Sequence, residues 1–207
     1  PVGQGLKSSS ALSCAAFRAL NSCVWTGLSN SEIADLSAKS QLMSDCAITG
    51  SMDDNWASLE PGWKLVDPSL RASDSIIIHG AMDDRMSVLV CLRGQRSKEI
   101  SSTRFLEQRQ IFERALASIM SGSTLDSLSS NGMAVSAATD DHEALRISNV
   151  CIASGAIASG ISGSGPAIAV VCFEDDAESI SAIIDEMGHS TIQTRFAINA
   201  TTVEEAS

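Results

Sequence analysis

The stretch PVGQGLKSSSA at residues 1–11 constrains this chain more than any other. A glycine-bearing turn runs straight into a helix whose first residues are serines. Such a junction leaves several backbone N–H groups without intrahelical partners at the positive end of a helix dipole. It is a ready cradle for an anion, and Lys7 adds a point charge while Ser8, Ser9 and Ser10 add hydroxyls. The spacing GxxxxGK[ST] is absent, so this is not a Walker A loop. A glycine turn with an ordinary serine N-cap reads the same way, and the residues alone leave both readings open.

The rest of the chain limits what that junction can serve. With 207 residues, 44% of them apolar, the chain buries a core sufficient for one large or two small domains. Fourteen basic residues against 25 acidic give a net charge of −11, unsuited to tracking a phosphodiester backbone. A single nucleotide asks only for a few aimed N–H groups and a cation. The composition excludes collagen, coiled coil and generic disorder. The cysteines at 14, 23, 46, 91, 151 and 172 form no CxxC pair, which predicts reduced, buried thiols of a cytoplasmic protein rather than a zinc site or disulfides. Residues 147–173 carry no charge, but five Ser, four Gly and a Pro mark a buried helix, a loop and a strand, not a membrane span. No nucleic-acid or membrane partner is expected. Because residue 1 is Pro, the sequence is read as beginning inside a longer protein.

Periodicity predicts helices at 6–20, 31–39 (capped by Asn30 or Ser31), 104–120, 125–138, 141–159 and 176–188. Strands are predicted at 62–67, 75–79, 86–92, 167–173 and 191–198, with 46–54 a short strand or loop ending in paired acids. In the helix at 104–120, Phe105, Ile111, Phe112, Leu116 and Met120 are the inward candidates. The order is α+β, and its last part is consistent with a ferredoxin-like arrangement.

Two further stretches carry chemistry. TGSMDDNWAS at 49–58 sets two adjacent acids after a small-residue turn. One carboxylate there could accept a hydroxyl proton or hold a metal, and an Asx-type turn is the plainer alternative. ISGSGPA at 161–167 makes a tight turn where backbone can approach a ligand. His79, His142 and His189 are scattered and read as surface or packing residues, and Asp83-Asp84 as a solvated loop. Trp25, Trp56 and Trp63 read as core or rim, with Trp56 also a candidate for lining an acceptor pocket.

Pro1, Gly5, Leu6, Ser8, Ser9 and Ala11 form PxxxGLxSSxA, which resembles the phosphate loop PxxxGLGSSAA of the GHMP kinases, the superfamily of galactokinase, homoserine kinase and mevalonate kinase. Lys7 stands for a Gly and Ser10 for an Ala. GLKSSSA resembles the archaeal-type shikimate kinase branch in particular, and residues 49–58 are similar to its TGAFDDxxAS segment, with Met52 at the Phe or Leu. Residues 161–167 resemble the third GHMP motif, 153–160 the small-residue helix before it, and Asn131-Gly132 an NG pair of the preceding helix.

The resemblance implies an incomplete ribosomal protein S5 domain 2-like ATP-binding part at 1–84 and a ferredoxin-like GHMP C-terminal domain at 85–207. It implies ATP and Mg²⁺ as ligands and shikimate as the acceptor. Another GHMP acceptor such as homoserine or mevalonate, or a non-catalytic nucleotide-binding relative, is the alternative. Gly3, Gln4, Gly5, Leu6, Lys7, Ser8, Ser9 and Ser10, with Gly163, Ser164 and Gly165, would hold the phosphates. Ser9 would help bind Mg²⁺, and Asp54, with Asp53 its close competitor, would act as the base beside Lys7. The family's Mg²⁺-binding Glu lies about ten residues before the catalytic Asp by the resemblance. Here that neighbourhood reads Leu42, Met43 and Ser44, with Asp45 out of register. Arg104 or Arg109 is the candidate clamp for an acidic substrate's carboxylate.

Overall fold

A computed structural model describes residues 4–47, 50–95 and 101–198. These divide into two compact units, one comprising 4–6 with 83–196 and the other 7–82 with 197–198.

In the unit of Lys7–Met82, α1 (Ser8–Val24), α2 (Asn30–Met43) and α3 (Met52–Leu59) precede β1 (Trp63–Val66), the short α4 (Ala72–Ser75) and β2 (Ile76–Gly80). β1 and β2 form an antiparallel pair from Trp63↔Gly80 to Val66↔Ile76. α2 starts from Ser29, a residue earlier than the expected cap, because Glu32 completes a capping box: its carboxylate accepts the Ser29 N–H at 2.8 Å. The paired acids do not end a strand or loop. They occupy the first turn of α3, where a helix dipole favours carboxylates, while Met52, Trp56 and Leu59 recur on one face and are buried. These three join Cys14, Ile33, Ala34, Ala38 and Ala72 in this unit's core. The Trp56 indole N–H donates to Ser75 Oγ at 3.1 Å, so its ring belongs to that core rather than to an acceptor pocket. Trp25, expected in a core or rim, is 91% exposed just past the end of α1.

The unit of Asp83–Phe196 is built on a four-stranded antiparallel sheet of order β4-β5-β3-β6. Its elements run β3 (Met86–Leu92), α5 (Ser102–Glu107), α6 (Arg109–Met120), α7 (Thr124–Thr139), α8 (His142–Ala153), β4 (Ala158–Ile161), β5 (Ile168–Phe173), α9 (Ala177–Glu186) and β6 (Ser190–Arg195). In β3, Ser87, Leu89 and Cys91 turn inward and alternate with more exposed neighbours. Leu89 and Cys91 meet Ile147 and Cys151 of α8 and Ile180 and Ile184 of α9 in one apolar cluster. Burial pushes the Cys91 and Cys151 thiols up to about 11. Cys23 and Cys46, however, are exposed, against the expectation of six buried thiols.

Two helical expectations are corrected in this unit. The helix expected at 104–120 is broken at Gln108 into α5 and α6, and Leu116 and Met120 face solvent while Ala115 is buried. The helix expected at 141–159 stops at Ala153, and residues 158–161 form β4. All four residues of β4 are buried, and small uncharged residues hide the periodicity of a strand buried on both faces. Gly132 of α7 lies directly on this strand: a Cβ there would come within 2.3 Å of the Gly160 Cα. Only the absence of both side chains lets helix and strand approach so closely. Among the described residues no helix is long and apolar enough to cross a membrane.

Candidate functional site

The start of α1 has the form the sequence predicts. The first helical hydrogen bond runs from the Ala11 N–H to the Lys7 carbonyl at 3.1 Å. The N–H groups of Ser8, Ser9 and Ser10 precede that bond and are the donors a helix leaves free. Lys7 is the N-cap residue, with φ of 57° in the left-handed region. Its ammonium forms an ion pair with Asp54 Oδ1. The Asp54 side chain is 12% exposed and that of Lys7 34%.

Burial, with the neighbouring Asp53 charge, raises the Asp54 carboxyl above the ordinary aspartate range, and Lys7 opposes the shift. A carboxylate so placed is a stronger base than an ordinary aspartate and is already aligned with a cation. Asp53, next in the chain, is exposed. The structure thus brings Lys7 to Asp54.

Behind the serines lies a polar cluster confined to this unit. Ser9 Oγ and Ser10 Oγ donate to Gln41 Oε1 at 3.1 and 3.2 Å. Gln41 Nε2 donates to Asn55 Oδ1 at 2.8 Å and to Ser37 Oγ at 3.3 Å. Asn55 Oδ1 also accepts from Ser37 Oγ at 2.8 Å, and Asn55 Nδ2 donates to the Gly50 carbonyl at 3.0 Å. Gln41 is 2% exposed and Asn55 fully buried. Sequence reading looked for a metal-binding acid at Leu42, Met43 and Ser44, all of which are exposed, as is Asp45. The inward residue is their neighbour Gln41, which carries no local sequence signal.

Gln4, Gly5 and Leu6 belong to the other unit. The Ala167 N–H donates to the Gln4 carbonyl at 3.0 Å, and Ser162 Oγ donates to the Gly5 carbonyl at 2.9 Å. Gly5, at φ +77°, packs so tightly on the Gly163-Ser164-Gly165 turn that a Cβ would sit 2.5 Å from the Gly165 carbonyl oxygen. Arg93 steadies that turn: its guanidinium pairs with both Asp141 oxygens at 2.8 Å and donates to the Pro166 carbonyl at 3.2 Å. Arg93 follows a strand with no motif around it, so sequence reading passed over it. Gly3 and Thr49 lie outside the described residues.

Arg109 pairs with Glu113 of its own helix at 2.7 Å, and Arg104 is exposed on α5. His142 lies 3.0 Å from Asp140 at the surface and His189 3.7 Å from Glu143. Asp83 pairs with Arg85, which holds its carboxyl down at about 2.

Among the described residues no three His, Cys, Asp or Glu side chains gather to hold a metal ion. Magnesium keeps most of its shell in water and phosphate oxygens, with one or two protein ligands. The Ser9 hydroxyl oxygen fits one such ligand for an ion arriving on a nucleotide. The residues do not form a carboxylate cage that would hold the ion alone.

Residues 1–62 match the family model of the GHMP kinases N terminal domain. The chain is 30% identical over 204 residues to a shikimate kinase of Methanobrevibacter smithii, covering 94% of this chain and 68% of that protein. It is 26% identical over 187 residues to a shikimate kinase of Methanothermobacter thermautotrophicus, covering 87% of this chain and 63% of that protein. The chain therefore spans about two thirds of the length of these relatives. The crystal structure of Lactococcus lactis galactokinase complexed with galactose has the same fold, with a TM-score of 0.70 at 11% identity, over 97% of this chain and 67% of that one. The chain belongs to the GHMP kinases. Within them it is similar to two archaeal shikimate kinases.

Proposed function

We propose that the protein is an ATP-dependent small-molecule kinase that phosphorylates shikimate, giving shikimate 3-phosphate and ADP. The observation that carries the reading is the Lys7–Asp54 pair at the head of a serine-started helix, in a chain similar to two archaeal shikimate kinases. Residues 1–84 are assigned to the ATP-binding domain and 85–207 to the GHMP C-terminal domain. The β4-β5-β3-β6 order, with helices between β3 and β4 and between β5 and β6, supports a ferredoxin-like assignment for the latter.

The backbone N–H groups at the head of α1, from Lys7 to Ser9, hold the nucleotide phosphates. Asp54 aligns the acceptor hydroxyl and takes its proton as the oxygen bonds to the γ-phosphorus. The bond from that phosphorus to the β,γ-bridging oxygen breaks, and ADP leaves with the electron pair. Lys7 offsets charge that builds on the transferring group. Mg²⁺, when bound with ATP beside Ser9, supplies neutralisation of the phosphate oxygens. The test is ADP release with shikimate, homoserine and mevalonate as separate acceptors. Acceleration by shikimate alone is expected. Acceleration by another acceptor, or by none, overturns the assignment.

A further inference from the structure

Gln41 lies nearly out of solvent with every hydrogen-bonding position of its amide engaged. Its orientation follows from its neighbours. Asn55 Nδ2 is committed to the Gly50 carbonyl, so Asn55 turns its oxygen toward Gln41. An oxygen needs a donor, so the Gln41 NH₂ faces Asn55 and Ser37, and the Gln41 oxygen faces α1. That oxygen has two lone pairs, and two hydroxyls, Ser9 and Ser10, point their protons at it. A hydroxyl has a single proton. With that proton turned inward, Ser9 offers only lone pairs to anything held at the start of α1.

We propose that Gln41 is a positioning residue. By accepting the Ser9 hydroxyl proton it makes Ser9 a ligand for a cation or its bound water and denies a phosphate oxygen the hydrogen bond that a free serine would give. The selectivity is set by a neutral amide buried one layer behind the serine. The inference rests on the nucleotide-binding reading above.

The test measures binding of a fluorescent ATP analogue to the full chain, once with Mg²⁺ and once in excess EDTA. Ser9→Ala, which removes the ligand, and Gln41→Met, which removes its outer partner, are each expected to weaken binding with Mg²⁺ by about 10- to 100-fold. In EDTA Ser9→Ala is expected to leave binding unchanged, and Gln41→Met, which frees the Ser9 proton for a phosphate oxygen, to leave it no weaker. Equal losses in both conditions for Ser9→Ala would mean that Ser9 donates to phosphate and would overturn the proposal. So would a folded Gln41→Met with the Mg²⁺ dependence of the wild type.

Gln41→Glu gives a readout that needs no nucleotide. Its protonated carboxyl keeps the donation toward Asn55 and the acceptance from the serines and loses only the longer bond to Ser37, whereas the ionised form sets an oxygen against Asn55 Oδ1. Its melting temperature is expected to lie nearest the wild type at low pH and to fall further below it as pH rises past the ordinary glutamate value of about 4.3. Parallel melting curves at every pH would overturn the proposed amide orientation. If the wild type binds no nucleotide in either condition, the functional reading falls and the inference, which rests on it, falls with it; the Gln41→Glu melting profile then decides only the amide orientation.

Discussion

At the scale of single residues, Asp54 and Lys7 carry opposite demands of stability and chemistry. Folding raises the Asp54 carboxyl, so the fold favours its protonated form. The stability linked to Asp54 is therefore full below the ordinary aspartate value and is lost as pH rises through the raised one. Asp54→Asn is expected to melt no lower than the wild type near neutral pH in calorimetry while losing about 10²- to 10⁴-fold in turnover. In the wild type, kcat/KM should fall on acidification with a midpoint above the ordinary aspartate range, read from a pH–rate profile. Lys7 occupies a left-handed backbone position, which costs a residue with a Cβ about 1–2 kcal/mol. Lys7→Gly is expected to relieve that strain but to break the ion pair with Asp54, the two offsetting so that melting stays nearly unchanged, and to lower kcat by about 100-fold or more through the lost charge. The thiols give a check independent of activity. Cys23 and Cys46 are exposed and the other four buried, so a thiol reagent should titrate two groups in the native protein and six after denaturation.

At the scale of elements, close contacts and caps decide more than propensity. Gly132→Ala would drive a Cβ into the Gly160 backbone, and a thermal melt should show a loss of about 1–3 kcal/mol or more. Ser29→Ala removes one side of the capping box of α2 and should cost about 1 kcal/mol. What could be read in the sequence follows the same division. Strand β3 was predicted at its observed bounds because Met86–Leu92 is an apolar run broken only by Ser87 and set between turns. The first helix was legible from its serines and spacing. β4 was not, because Ala158, Ser159 and Gly160 have no period to show and owe their burial to α7 and β5. The outward turn of Leu116 and Met120 was equally hidden, since the small Ala115, with Ile111, Phe112 and Ile119, supplies the inward face instead. Of the residues proposed for the site, Lys7, Ser9 and Asp54 stand in glycine-serine and paired-acid motifs. Gln41 does not, because the Ser9 and Ser10 hydroxyls it accepts lie 32 and 31 residues away and only the fold brings them to it. In the other unit Arg93 was hidden in the same way, its partners Asp141 and Pro166 lying 48 and 73 residues on.

At the scale of the whole molecule, the charge of −11 is a standing repulsion that no single pair offsets. Added salt should raise the melting temperature over the range in which the screening length falls from about 10 Å to about 3 Å. The division into compact units has another consequence. It severs the glycine turn between Leu6 and Lys7, so Gln4, Gly5 and Leu6 are structurally property of a body that resumes only at Asp83. A gene cut at the obvious seam, between Met82 and Asp83, would hand Gln4 and Gly5 to the wrong half. The downstream product would then fold with the Ala167 amide and the Ser162 hydroxyl stripped of their acceptors. Modular inheritance of the two halves is thereby discouraged: a recombinant exchange works only if it carries a short upstream ribbon along with the distant segment to which that ribbon is laced.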